Sequence, residues 1–264
     1  MKHSAYAQSH PADATGNDRQ PAPPATEGMT RDRVREPEAT LPATGQAAAS
    51  LLPTVLLWLE FVALFLLVPT LYWRGYMPIG VIPGLFLFAA LCTALLLLDR
   101  TFDRALFWNG RNLLAKLRWP LIRFAVFGGM LTAAVLLVLP DRFLAFPRGN
   151  PGVYAMVMCL YPIFSVFPQE LIFRVFLFHR YRTILPRAWM RIAASAVTFA
   201  YIHLAFPADP VVSLVLSLLG GVLFAWTYEK TRSAAAVVIE HALYGDLVWT
   251  IGLGTYFYRG AVGG

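Results

Sequence analysis

Apolar runs of membrane-crossing length recur along this chain, beginning with LLPTVLLWLEFVALFLLVPTLYW at residues 51–73. A helix needs about 18 or more such residues to cross a bilayer. Further runs lie near 79–98, 121–140, 153–178, 190–206, 210–229 and 233–257. Only 14% of the 264 residues are charged, against about a quarter in soluble domains. The expected fold is therefore all-α: a polytopic transmembrane bundle of about seven to eight helices over residues 51–264.

Residues 1–50 differ in kind. They are rich in Pro, Ala, Thr and charge and have no hydrophobic period, so their burial cannot offset the entropy of ordering them. They read as a disordered cytoplasmic tail. No basic stub followed by an apolar stretch and a small-residue cleavage site opens them, so a signal peptide is not expected. Acidic and basic residues nearly cancel there, and the net charge of +7 comes from the rest of the chain. That excess argues for membrane topology, with no nucleic-acid partner. Cys92 and Cys159 sit in apolar runs without metal-ligand spacing, and read as packed core thiols.

Lys and Arg set the orientation. Arg100, Arg104, Arg111, Lys116 and Arg118 lie between the second and third runs; Arg180, Arg182, Arg187 and Arg191 follow the fourth; Lys230 and Arg232 follow the sixth. Alternate connections hold only Arg74, or Arg142 and Arg148, or none in FPADP. The tail and basic loops should face the cytoplasm, in a bacterial-type inner membrane. Contact with anionic headgroups accounts for these basic residues.

Ionisable groups inside the runs are costly and so point to function. At about 1.5 Å per residue, Glu170 lies roughly 15 Å from the cytoplasmic edge marked by Arg180, His203 about 18 Å from Arg191, and His241 about 14 Å from Arg232. One carboxylate and two imidazoles thus share a depth on separate helices. Glu170 and Arg174 are four residues apart on one helix face, so pairing offsets the cost of burying each. One chemistry for such a cluster is water activation by Glu170 with imidazoles holding the water and the oxyanion. Another is a two-His, one-carboxylate metal site, with zinc as the ion; no HExxH is present to support it.

These residues resemble the CAAX protease and bacteriocin-processing (Abi) family, whose motifs are EExxxR, FxxxH and HxxxN. The first reads Gln169-Glu170-Leu171-Ile172-Phe173-Arg174, the second Phe199-Ala200-Tyr201-Ile202-His203, and the third His241-Ala242-Leu243-Tyr244-Gly245. The resemblance covers roughly residues 150–250. It implies an intramembrane endopeptidase acting on a membrane-associated protein or peptide, with no metal required by the glutamate mechanism. It also implies roles: a carboxylate and His203 activate water, and His241 stabilises the oxyanion. Gln169 and Gly245 depart from the motifs, at the positions of the family's first Glu and its Asn. Glu170 then becomes the expected base; the alternative is that Glu240 supplies the missing carboxylate, although adjacent helical residues point about 100° apart and should turn it toward another groove. Asp246 directly follows Gly245, Gln169 and Arg174 are supports, and Phe199 packs beside them.

Other polar residues read as structural. Glu60 hydrogen-bonds within the bundle, and His179 is a solvated interfacial side chain. Pro162 and Pro168 bend the fourth span, and Gly128, Gly129 and Ala133 permit close helix approach. The rival readings are an inactive relative serving as a membrane binding or immunity factor, and a proton-coupled transporter; the lack of inverted halves weighs against the latter.

Overall fold

The computed structural model describes residues 43–204 and 210–257. Among the described residues the chain is helical and contains no strand. Helix α1 begins at Ala43 and reaches Trp73 through a π-helical turn at Ala63–Leu67. Its start lies within the stretch expected as tail; residues 1–42, which carry most of that expectation, lie outside the described residues. Helix α2 is Val81–Leu98, α3 is Leu113–Val138, α4 is Pro151–Arg180, and α6 is Pro210–Thr231. Between and after the last two stand α5, Ala188–His203, and α7, Ala234–Thr250.

Five of these, α1 to α4 and α6, are long and apolar enough to cross a membrane. The runs expected at 190–206 and 233–257 form helices too, but α5 has 16 residues and α7 has 17. A physical stop ends α7. Gly252 adopts a left-handed φ of 87°, its N–H bonds Trp249 O, and the next N–H, from Leu253, bonds Val248 O. This pair of bonds is the Schellman cap, which favours glycine at its left-handed position. A Cβ on Gly252 would also run into the carbonyl of Arg142. At the other end of α7, Ser233 Oγ accepts the Ala236 N–H at 3.2 Å and donates to Asn109 O at 2.8 Å. One hydroxyl thus caps the helix and ties it to the α2–α3 connection.

Helix α4 is interrupted twice by π-helical turns, at Pro162–Val166 and Leu171–Phe176. Pro162 has no N–H and its ring crowds the preceding turn, which accounts for the first. The second encloses Arg174, and π turns inside α-helices frequently accompany functional sites. Ser195 Oγ of α5 donates to the carbonyl of Phe173 within that turn at 2.8 Å. Helices α5 and α6 pack backbone to backbone: a Cβ on Gly221 would lie 2.9 Å from Ala196 Cα. Around this pair the core is aromatic, with Phe65, Phe173, Phe176 and Tyr181 almost wholly buried.

Several expectations need correcting. Cys92 is buried, but Cys159 is exposed, because it lies on the outward face of α4. Gly129 has open space around it; the close approach is at Gly128, whose Cβ would lie 3.0 Å from Leu247 Cδ2. His179 is not simply solvated, since its Nε2 lies 2.8 Å from Asp99 Oδ2. Nor is Arg191 a headgroup contact: it is buried, forks onto Glu229 at 3.2 and 2.7 Å, and donates to the carbonyls of Leu185 and Pro186. Glu60 does bond within the bundle, accepting two bonds from Arg180 at 2.8 and 2.6 Å and one from Tyr181 at 3.1 Å.

Candidate active site

Four residues of separation on α4 bring Glu170 and Arg174 side by side, and both are fully buried. Arg174 Nε lies 3.1 Å from Glu170 Oε2. The guanidinium stacks over Phe199 of α5, 4.6 Å from the ring centre, and lies 5.5 Å from that of Phe224 of α6. A cation desolvated against ring faces gains a further attraction from their quadrupoles. No hydrogen-bond partner reaches the Arg174 nitrogens among the described residues, so this stacking and the ion pair carry its charge.

The other oxygen of Glu170 holds His241. Nδ1 of that imidazole lies 2.6 Å from Glu170 Oε1, and a carboxylate only accepts, so Nδ1 bears the proton. Nε2 is then directed away, toward the hydroxyl of Tyr161 at 3.3 Å. Phe224 stacks on the imidazole at 4.5 Å and 20°, and Phe199 meets it edge-on at 5.4 Å. Carboxylate, stacked ring and edge together leave the ring one orientation. This is a carboxylate–imidazole pair with a directed basic nitrogen, the arrangement by which a histidine serves as general base.

His203 also touches Phe199: its ring lies 4.7 Å away and its Nδ1 donates to the Phe199 carbonyl at 2.7 Å. In the neutral ring this makes Nε2 the accepting nitrogen. His203, His241, Gln169 and Tyr161 line one cavity of about 1580 Å³, whose remaining wall is largely apolar. Gln169 Nε2 donates to Ser165 Oγ at 2.8 Å. Tyr161, Ser165 and Gln169 follow one another at intervals of four along α4, a polar stripe on the cavity side.

The structure thus brings Glu170 and His241 into contact and sets His203 on the same cavity. It does not give Glu170 access to water. That carboxylate lies behind His241, with one oxygen on the imidazole and the other beside Arg174, and is absent from the cavity lining. Glu240 faces elsewhere: Arg123 Nη2 donates to its Oε1 at 2.9 Å and also bonds Thr227. Adjacent helical residues diverge by about 100°, which separates Glu240 from His241. Asp246 is half-buried and likewise does not line the cavity. Phe199 supports both imidazoles and Arg174.

Among the described residues no group of three His, Cys, Asp or Glu side chains is arranged to hold an ion. Glu170 is occupied by Arg174 and by the protonated Nδ1 of His241.

Three contributors escaped the sequence reading: Phe224, Arg123 and Tyr161. The stripe of Tyr161, Ser165 and Gln169 was the pattern from which the last could have been found. Tyr161 also accounts for Gly245. A Cβ built on that glycine would overlap the phenol ring and hydroxyl, so the absence of a side chain at 245 is what admits the ring.

Residues 151–245 match a family described as type II CAAX prenyl endopeptidase Rce1-like. No curated protein and no solved structure gives a significant match. The matched segment opens with α4 and contains Gln169, Glu170, Arg174, His203 and His241. Together with the five apolar helices it marks a multi-pass membrane protein. Residues 151–245, which hold the buried Glu170–His241 pair, are thus similar to the Rce1-like CAAX endopeptidase family.

Proposed function

We propose that the protein is an intramembrane endopeptidase that hydrolyses a peptide bond in a membrane-associated protein or peptide, with His241 as general base. The observation that carries this reading is the 2.6 Å bond from His241 Nδ1 to Glu170, which turns the opposite nitrogen toward the cavity. Nε2 takes a proton from water, and the hydroxide adds to the scissile carbonyl. The imidazolium then returns the proton to the amine nitrogen as the C–N bond breaks. Glu170 stabilises the imidazolium and fixes its tautomer, and Arg174 balances the charge of Glu170. General-base assistance of this kind contributes about 10²–10⁴ in rate. Gln169 and His203, on the cavity wall, hold the substrate backbone.

An apolar cavity with a few polar groups suits an extended apolar segment whose polarity is confined to its backbone. The Lys/Arg-rich connections after α2, α4 and α6 support an inner-membrane location with those loops and the N-terminus in the cytoplasm. Zinc has no step in this mechanism.

One observation favours a second reading, a catalytically inactive relative that binds membrane peptides. Gln169 faces the cavity with an amide, which cannot take a proton from water. Purified protein in detergent, offered candidate membrane peptides, separates the two. Under the endopeptidase reading the wild type cleaves, and His241→Ala and Glu170→Gln lose about 10²–10⁴ in kcat. Cleavage seen only in Gln169→Glu makes the natural protein the inactive relative. Equal turnover by wild type and His241→Ala removes the base assigned above.

A further inference from the structure

We infer that Tyr161 is a further catalytic residue of this site: its phenol donates a hydrogen bond to the oxyanion that forms when water adds to the scissile carbonyl. The inference rests on the endopeptidase reading above. Its hydroxyl is 3.3 Å from His241 Nε2, and the two rings meet nearly perpendicular at 82°. Both side chains line the cavity. An oxygen atom fits about 2.8 Å from each of two polar atoms so spaced. A reacting water or carbonyl oxygen can therefore touch base and phenol together.

The donor changes partner as the reaction proceeds. In the resting site Nδ1 of His241 holds a proton, so Nε2 accepts the phenol O–H. When substrate and water enter, the phenol O–H turns to the scissile carbonyl oxygen and frees the single Nε2 lone pair to take a proton from water. The same O–H then donates to the negatively charged oxygen of the tetrahedral adduct. Tyr161 keeps its proton throughout, and no further acid or base is consumed. A donor held beside the point where charge develops stabilises the oxyanion as it forms, which is the source of its effect on rate.

Gly245 is part of the same arrangement. It stands one helical turn beyond His241, on the same face of α7, and a side chain there would occupy the position of the phenol. Position 245 and Tyr161 thus compete for one space beside the base. The alternative account, a tyrosine that only fills this space, predicts that its hydroxyl is dispensable.

The test uses the full-length protein in proteoliposomes and a membrane peptide that it cleaves. Tyr161→Phe, which keeps the ring, should lower kcat about 10²–10³-fold, the cost of one oxyanion donor, with little change in KM. Tyr154→Phe is the control, because its hydroxyl bonds Thr250 at 2.9 Å and lies off the cavity; its kcat should equal that of the wild type. Tyr161→Ala combined with Gly245→Asn, which sets an amide donor in the vacated space, should turn over faster than Tyr161→Ala alone. Wild-type kcat in Tyr161→Phe, or a change confined to KM, overturns the inference and leaves the endopeptidase reading intact. A wild type that cleaves no peptide, with Gln169→Glu equally silent, overturns both.

Discussion

The first three long helices and the last four treat the same kind of side chain in opposite ways. In α1 and α3 only 11% of the most apolar window is buried inside the protein, against 33% in α4 and 39% in α6. Leu98 and Leu137 are 79% and 84% exposed, whereas Ile172, Phe176 and Leu177 are completely enclosed. The less apolar helices are the more buried. This reverses the rule for a protein in water, because lipid tails welcome leucine and the interior is reserved for groups that lipid rejects. Polar chemistry therefore concentrates in α4 to α7, and the family match falls on that part. The outer helices shield it and supply the apolar wall of the cavity.

The contrast can be broken at its strongest point, the charge inside the second region. Arg174→Leu leaves Glu170 buried without its cation, and thermal unfolding in detergent should register a loss of about 3–5 kcal/mol. An unchanged midpoint would mean that the ion pair contributes nothing to holding α4. Arg123 tests whether the two regions are separable, since it reaches from α3 to Glu240 of α7 and Thr227 of α6. Arg123→Leu should cost about 1.5–3 kcal/mol, the range for hydrogen bonds to charged groups. A smaller effect on the same measurement would argue that the outer helix is only a shield. Leu137→Ala, on the lipid-facing side of α3, should shift stability by no more than about 0.5 kcal/mol. A loss comparable to that of Arg174→Leu would show that this face is covered by protein.

Much of the site was visible in the sequence. Glu170 and Arg174 at a separation of four, and His203 and His241 at matching depths, are consequences of helical rise and periodicity. Those rules hold in any bundle. The direction in which each side chain points was not visible. Sequence reasoning gave Glu170 the water and left Gln169 as its support; the structure sets Gln169 on the cavity and Glu170 behind His241. Adjacent residues differ by about 100° around a helix, and the two π turns of α4 alter that angle where it matters. The same angle turns Glu240 away from His241 and onto Arg123. Arg191 and His179 were misjudged for a different reason: a basic residue at the membrane edge looks alike whether it meets a headgroup or a carboxylate on a neighbouring helix.

By itself the sequence determined a helical membrane protein, the order of its apolar runs and the spacing of its ionisable groups along them. Each of these follows from local properties of the chain, its run lengths and its rise per residue. Only the tertiary structure decided which imidazole is paired with the carboxylate, which residues border the cavity, and that Tyr161 takes the space left by Gly245. Those outcomes depend on how helices far apart in the chain rotate against one another, and that rotation is set by packing at places such as Gly221 on Ala196.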